Sequence, residues 1–418
     1  MDRRGFLKQS ATAAGAAALA TATAQRSRAA EPKQTPSPNE IIGVGLIGQG
    51  GMGSAHRHRL IKMSKDGEPV RVVAVCDVWD NRLNQAAQET GGKPYKDYRK
   101  LLEDKDVDAV LIATPDHWHA PITIAAANAG KHVYCEKPMT YWKDLNDARR
   151  VVEAIARNKR VMQVGTNGIS DSIWQQAAER VRTGILGKII HVQASDMRNG
   201  PIDVYDPTRK DPDLKPRVNL DWDMWLGPAP RRAFDPGRYL SFRVFWDYSG
   251  GITTDFFPHL LTPLISVLGL RFPKRVVSSG GLYNFADGRE APDIINVNIE
   301  YENGPSILLL GSVTTDVNLP MIIRGSAGTL EFKDPGAVIE PQRSAGKSFD
   351  RVEIKRERDG SLDEHWRDFL SCIKSGRKPR SNEELGFCVM AALHMAVHSY
   401  RQGRAMEFDP KKKTAHFV

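Results

Sequence analysis

The chain has 418 residues and a formal net charge of +9, with 41% hydrophobic and 26% charged residues. That is long enough for two domains around sizeable cores, since single cores rarely grow past about 250–300 residues. The basic excess argues little for nucleic acid: Arg3, Arg4, Lys8, Arg26 and Arg28 against Asp2 carry much of it, and without residues 1–30 the charge falls to about +5, of which Lys411 to Lys413 supply three.

Arg3-Arg4-Gly5-Phe6-Leu7-Lys8, followed by a mildly apolar alanine-rich run from Ala11 to Ala24, reads as a twin-arginine export signal. Small-residue cleavage sites end at Ala24 or Ala29, and residues 31–40 read as a proline-bearing linker. The expected partner is therefore the twin-arginine export machinery and the expected location the periplasm or another exported compartment. No later run is long and apolar enough to span a membrane. Cys76, Cys135, Cys372 and Cys388 show no zinc-type or CxxC spacing and read as reduced core residues.

Ile41 to Ile47 is a short apolar strand running into Gly48-Gln49-Gly50-Gly51-Met52-Gly53, and a polar helical run follows from Ser54. A glycine-rich turn between strand and helix is the dinucleotide fingerprint in its required context. Gly48 supplies the tight turn, Gly50 admits a pyrophosphate, Gly53 allows close helix packing, and the helix N-terminus faces the negative charge. A second strand, Val70 to Cys76, ends at Asp77, placed to accept both ribose hydroxyls. NAD is thus expected over NADP, which Arg82 keeps open.

The strand Ala109 to Ala113 delivers Thr114-Pro115-Asp116 and His119 to the carboxyl edge of a parallel sheet, where ligands of such sheets sit. Strand His132 to Cys135 then delivers Glu136-Lys137-Pro138. Pro138 restricts the backbone of Lys137 and so aims it. After a helix and the strand Val161 to Val164, Thr166 and Asn167 lie at another carboxyl end, within reach of substrate. Alternating strands and helices imply an α/β Rossmann parallel-sheet domain over residues 41–165.

Residues 166–418 read as an α+β substrate domain. Lys188 to Ala194, Arg275 to Ser278, Ile294 to Glu300, Ile307 to Val313 and Met321 to Ile323 are strand-like with no helices between the later ones, which implies an open, largely antiparallel sheet. Between Arg198 and Tyr248 runs a proline-bearing irregular stretch too long for an inert connection. Its Tyr239, Trp246 and Tyr248 offer flat faces to a sugar ring, while Trp222 and Trp225 are suited to packing the stretch down. If a helix follows Gly250-Gly251, Asp255 and His259 share one of its faces four residues apart. A carboxylate beside an imidazole suits a general base for an alcohol proton. His117/His119, His56/His58 and His394/His398 lack a third ligand or a general-base glutamate, so no metal is expected. Helices from His365 and Glu383 close the chain.

Together the glycine turn, Ala113-Thr114-Pro115 with His119, Ala129-Gly130-Lys131-His132-Val133 leading into Glu136-Lys137-Pro138, and Gly250-Gly251 with Asp255 and His259 resemble the glucose-fructose oxidoreductase, inositol dehydrogenase and MocA family over essentially the whole chain after the signal. The resemblance implies that Lys137 lies beside the nicotinamide and the substrate hydroxyl, that Glu136 contacts the nicotinamide ribose, and that His259 is the base with Asp255 as its partner. Pro258, directly before His259, departs from the family pattern and bears on that helix. Asp221 to Pro228 looks like a hallmark of exported members. The function implied is an exported NAD(P)-dependent oxidoreductase acting on a sugar, sugar derivative or polyol, with a tightly held cofactor and a homo-oligomer formed through the second domain's sheet. The alternatives are a redox-neutral NAD-dependent glycoside hydrolase and a non-catalytic sugar-binding protein.

Overall fold

Strands β1 (Ile42–Ile47), β2 (Val70–Cys76), β3 (Lys93–Tyr95), β4 (Ala109–Ile112), β5 (His132–Cys135) and β6 (Met162–Val164) form one sheet of order β3-β2-β1-β4-β5-β6. Every pairing in it is parallel. β1 is buried at all its positions, as a strand covered on both faces must be. The crossovers carry helices α1 (Gly51–Lys65), α2 (Asp80–Thr90), α3 (Tyr98–Glu103), α4 (His119–Asn128) and α5 (Leu145–Arg157). α5 shows why the sequence folds this way: Asp144 accepts the Asn146 N–H at 2.9 Å as an N-cap, and Leu145, Ala148, Val151, Ala154 and Ile155 are buried at helical spacing. Strand order reverses between β1 and β4, which opens a crevice at their carboxyl ends.

These coordinates come from a computed structural model that describes residues 40–200, 202–343 and 349–418. The segment read as an export signal and all but the last residue of the expected linker lie outside the described residues, as does Pro201. Residues 41–418 form one compact unit.

Beyond α6 (Ser172–Arg182) the chain enters β7 (Ile189–Met197), crosses a long segment holding the short helices α7 (Trp222–Leu226) and α8 (Pro236–Leu240), and reaches α9 (Ile252–Asp255) and α10 (Phe257–Leu268). Strands β8 (Arg275–Gly281), β9 (Ile294–Glu300), β10 (Ser306–Ser312), β11 (Met321–Gly325), β12 (Gly328–Lys333), β13 (Gly336–Pro341) and β14 (Val352–Lys355) follow, then α11 (Leu362–Ser375), α12 (Glu383–Gln402), β15 (Met406–Asp409) and β16 (Thr414–Phe417). The second sheet has ten strands in the order β14-β13-β12-β11-β7-β10-β9-β8-β15-β16. Only β7 and β10 pair parallel, so it is largely antiparallel as expected. β12, β13, β14 and β16 were not evident in the sequence: they are short, β12 and β13 begin on Gly328 and Gly336 and β13 ends on Pro341, and exposed charges blur a period of two.

α12 is buried on nearly every side. Asn382 caps it by accepting the N–H groups of Glu384 and Leu385 at 3.0 and 3.1 Å, and it packs against α5 as well as α10 and β8. The sequence also suggested one helix carrying Asp255 and His259, and here the structure differs. α9 stops at Asp255, Phe256 stands between (φ −95°), and α10 restarts with Pro258 in its first turn. A proline there removes an N–H that would be unpaired anyway. Among the described residues no helix is long and apolar enough to cross a membrane.

Candidate active site

The glycine turn lies at the crevice. Gly48 has φ +89°, and a Cβ on it would stand 2.6 Å from the Ala113 carbonyl oxygen; one on Gly53 would stand 1.9 Å from that of Gly48. Both positions need glycine. At Gly51, by contrast, nothing lies within 4 Å of a Cβ, so that side is open. α1 begins there with no side-chain cap and no acidic residue in its first turn, which leaves its N–H groups and positive dipole end facing the opening. Gln49 is not part of that donor set: its N–H is donated to Asp77 Oδ2 at 2.6 Å, its side chain bonds the Gly48 carbonyl and accepts from Arg57 Nη1 at 2.9 Å. Asp77 also accepts the Trp79 N–H at 2.9 Å. Burial pushes the Asp77 carboxyl up, opposed by Arg82 and these amides.

Gly48, Gly50, Gly51, Met52, Asp77, Thr114, Pro115, Asp116, Glu136 and Lys137 line one cleft, whose empty space out to its open mouth is about 1010 Å³. The opposite wall comes from the long segment: Met224, Trp225, Tyr239, Phe242 and Arg243. That segment is fastened to the loops and helix start beyond the carboxyl ends of β2 and β4 by the Asp80 N–H to Asn219 O (2.9 Å), the Asp221 N–H to Val78 O (3.0 Å) and Trp118 Nε1 to Trp225 O (2.9 Å). Trp222 and Trp225 stack on each other with centroids 4.7 Å apart, so they do pack the segment down. Gly227, at φ +49°, lies so close to Trp118 that a Cβ would come within 2.1 Å of its ring.

At the inner end, Glu136 accepts from His56 Nε2 at 2.8 Å, while His56 Nδ1 accepts from Trp366 Nε1 at 2.9 Å. That chain fixes the tautomer, with the His56 proton on Nε2. Burial opposes charge on Glu136, but the His56 bond and neighbouring Lys137 leave its carboxyl below the ordinary value. Lys137, whose bond to Pro138 is cis, donates to the Asp255 carbonyl at 2.9 Å and to its Oδ1. Asp255 further accepts from the Tyr205 hydroxyl, and Arg243 Nε stands 3.2 Å from its Oδ1. Burial works against the charge on Asp255, yet Lys137 and Arg243 hold it far below the usual carboxylate range. The carboxylate is therefore committed to two cations and a phenol rather than to His259. Among the described residues no hydrogen-bond partner is found for either nitrogen of His259, and burial, reinforced by Lys137, lowers it to about 4. It is a neutral imidazole beside an ion pair.

Several expected residues sit elsewhere. Asn167 donates to Gly360 O at 2.7 Å, so the end of β6 is tied to the C-terminal segment and not turned to the cleft. Trp246 packs on Trp142, Tyr400 and the Arg401 guanidinium. Tyr248 is fully buried against Trp225 and His117. Tyr239 does line the cleft, but beside Arg82 and Trp79, at the Asp77 end away from Lys137. His119 lies beneath the lining, between two backbone carbonyls. Tyr205 and Arg243 were missed. Among the described residues no group of three or more His, Cys, Asp or Glu is placed to hold a metal ion, and all four cysteines are buried and unpaired.

A dinucleotide fits this donor set. Besides the open helix end, Thr114 Oγ1 is buried in the cleft wall without a partner among the described residues, and such a group is normally satisfied in the working state. Fold and cleft thus define a two-part nucleotide-binding oxidoreductase. Residues 42–166 match the Gfo/Idh/MocA oxidoreductase family's NAD-binding Rossmann fold, and residues 175–417 its C-terminal alpha/beta domain; the chain belongs to that family. Myo-inositol 2-dehydrogenase of Thermotoga maritima is 34% identical over 163 residues, which are 38% of this chain and 47% of that protein. The chain spans about half the length of the curated relatives it matches. Among solved structures, the WlbA dehydrogenase from Bordetella pertussis in complex with NADH and UDP-GlcNAcA superposes with a TM-score of 0.65 at 20% identity, covering 88% of this chain and 99% of that one. The aldose-aldose oxidoreductase from Caulobacter crescentus, complexed with glycerol, gives 0.66 at 19%, covering 88% and 100%. At these identities the likeness is one of fold.

Proposed function

We propose that the chain is an exported NAD-dependent oxidoreductase that takes hydride from a hydroxyl-bearing carbon of a sugar, sugar derivative or polyol. The observation that carries this is the meeting of Lys137, which lines the dinucleotide cleft, with Asp255 from the second region, and with a neutral His259 close enough for Lys137 and Asp255 to act on its charge. NAD, when bound, supplies the hydride acceptor. His259 accepts the hydroxyl proton; with its own value near 4 it is ready to do so at any pH above that. Lys137 has three N–H groups. Two are engaged by Asp255, and the third is available to steady the substrate oxygen as it loses its proton. Asp255 keeps Lys137 aimed, and Tyr205 and Arg243 keep Asp255 in place. Gly50, Gly51 and Met52 at the helix end take the pyrophosphate, Asp77 the adenosine ribose, and Thr114 and Glu136 the nicotinamide half.

A redox-neutral cycle, either coupling two sugars or oxidising one transiently to cleave a glycoside, is the second reading. What favours it is the fastening of residues 219–225 across the cleft, which suits a cofactor regenerated in place. Passage through the twin-arginine machinery and a homo-oligomer joined through the ten-stranded sheet belong to the same proposal. The test is a panel of polyols, aldoses and aryl glycosides given to purified protein, with bound nicotinamide followed by absorbance. Reduction by a polyol or sugar supports the dehydrogenase. Phenol release with no net reduction supports the cycle, and silence across the panel defeats both.

A further inference from the structure

The ring of His119, 1% exposed, stands between two backbone carbonyls: Nδ1 is 2.6 Å from Pro138 O and Nε2 is 2.9 Å from Thr114 O. A neutral imidazole has one N–H and one lone pair. It satisfies one carbonyl and turns its lone pair on the other at contact distance, in a site too buried for water to relieve the repulsion. An imidazolium donates to both.

The groups around the ring fit the charged form. Asp116 faces it from the turn before α4 and Cys135 from the end of β5, while the adjacent His117 is held neutral, lowered to about 4 by burial. Burial opposes charge on His119, but its neighbours, Asp116 and the Pro138 carbonyl among them, raise it, while the Cys135 S–H is donated to the Glu136 and Met139 carbonyls. Asp116 is buried too: burial lifts its carboxyl, opposed first by His119, then by the Ser249 hydroxyl and Arg243, with Asp255 acting the other way, and it accepts from Thr254 Oγ1 at 3.2 Å.

We propose that His119 is a permanently protonated positioning residue, an imidazolium that ties the carboxyl ends of β4 and β5 together beneath the cleft and keeps Asp116 ionised. The strands it ties carry Thr114 and Lys137, so it sets the spacing between the cofactor wall and the ion pair. This rests on the reading of the cleft as a dinucleotide site.

Nitrogen NMR of the wild-type protein carrying labelled histidine tests the charge directly. Eleven histidines are present, and at about pH 8.5 an ordinary one is neutral. One ring with both nitrogens protonated, absent from His119→Gln, is expected; eleven neutral rings would overturn the proposal without any variant. The positioning role is read from the pH dependence of NAD binding. In His119→Gln the acid limb is expected to move up by about one pH unit or more as Asp116 loses its cation, and a profile superimposable on wild type overturns that role. Neither readout requires turnover, so both stand apart from the oxidoreductase reading.

Discussion

The two walls of the cleft are built on different principles. The first is made of strand ends and one helix start, where each side chain is aimed by a few residues on either side: Gly48 by its positive φ, Asp77 by the amides of Gln49 and Trp79, Lys137 by its strand and Pro138. The second is an irregular segment whose path is set by contacts far away in sequence, such as Asp221 on Val78 and Trp225 on Trp118. The proposed dinucleotide contacts are concentrated on the first wall. On the proposed function the chemistry lies where the second closes on it, since among the described residues the Lys137 ammonium forms its ion pair with Asp255.

That division can be broken at its seam. Lys137→Met and His259→Ala are each expected to lower kcat by about 10²–10⁴-fold while leaving bound NAD unchanged; equal loss of both would mean the seam is not where proton transfer is done. Asp255→Asn leaves Lys137 and Arg243 facing each other with no counter-charge, and a loss of about 3–5 kcal/mol is expected in urea unfolding.

The pH dependence of stability comes next. His117, His132, His259, His365 and His394 are each lowered to about 4, burial being the first cause in all five. Between that value and about 6.5 the unfolded chain binds more protons than the folded one, so stability falls as the pH drops through this window, by up to about 1.4 kcal/mol per unit for each histidine. His119, raised to about 10, acts oppositely: its contribution is full below about 6.5 and is lost as pH rises toward 10. Thermal melts across the range should peak near neutral pH, and a flat acid side would refute the buried neutral histidines.

Smaller effects separate the walls. Gly227→Ala strains the second wall against Trp118 and is expected to speed NAD release by about tenfold, equivalent to about 1.4 kcal/mol, measured by displacement. Gly51→Ala meets no neighbour, so stability should change by no more than about 0.5 kcal/mol, while NAD affinity falls because the added methyl faces the pyrophosphate.

The same contrast decides what was legible in the sequence. The glycine turn, Asp77, Thr114 and Lys137 announce themselves because strand, turn and helix are local patterns. Tyr205 and Arg243 do not, since their positions beside Asp255 depend on the course of the segment after β7; the one signal was the density of aromatic and basic residues just before Gly250. His56 stood in the sequence only as half of a histidine pair without a third ligand, and its place against Glu136 depends on α11 bringing Trp366 to it. Asn167 was drawn toward substrate by its place at a strand's carboxyl end, and Trp246 and Tyr248 by their flat faces, and contacts with Gly360, α12 and Trp225 claimed them instead. The shared helix of Asp255 and His259 failed at Pro258, whose missing N–H makes it a helix start.

Both walls together imply a dinucleotide held in a fastened cleft. Mass spectrometry of the nucleotide released by denaturing the purified protein after gel filtration tests this most directly. About one NAD per chain is the expected result; protein that passes the column free of nucleotide, or carries NADP in its place, would contradict it.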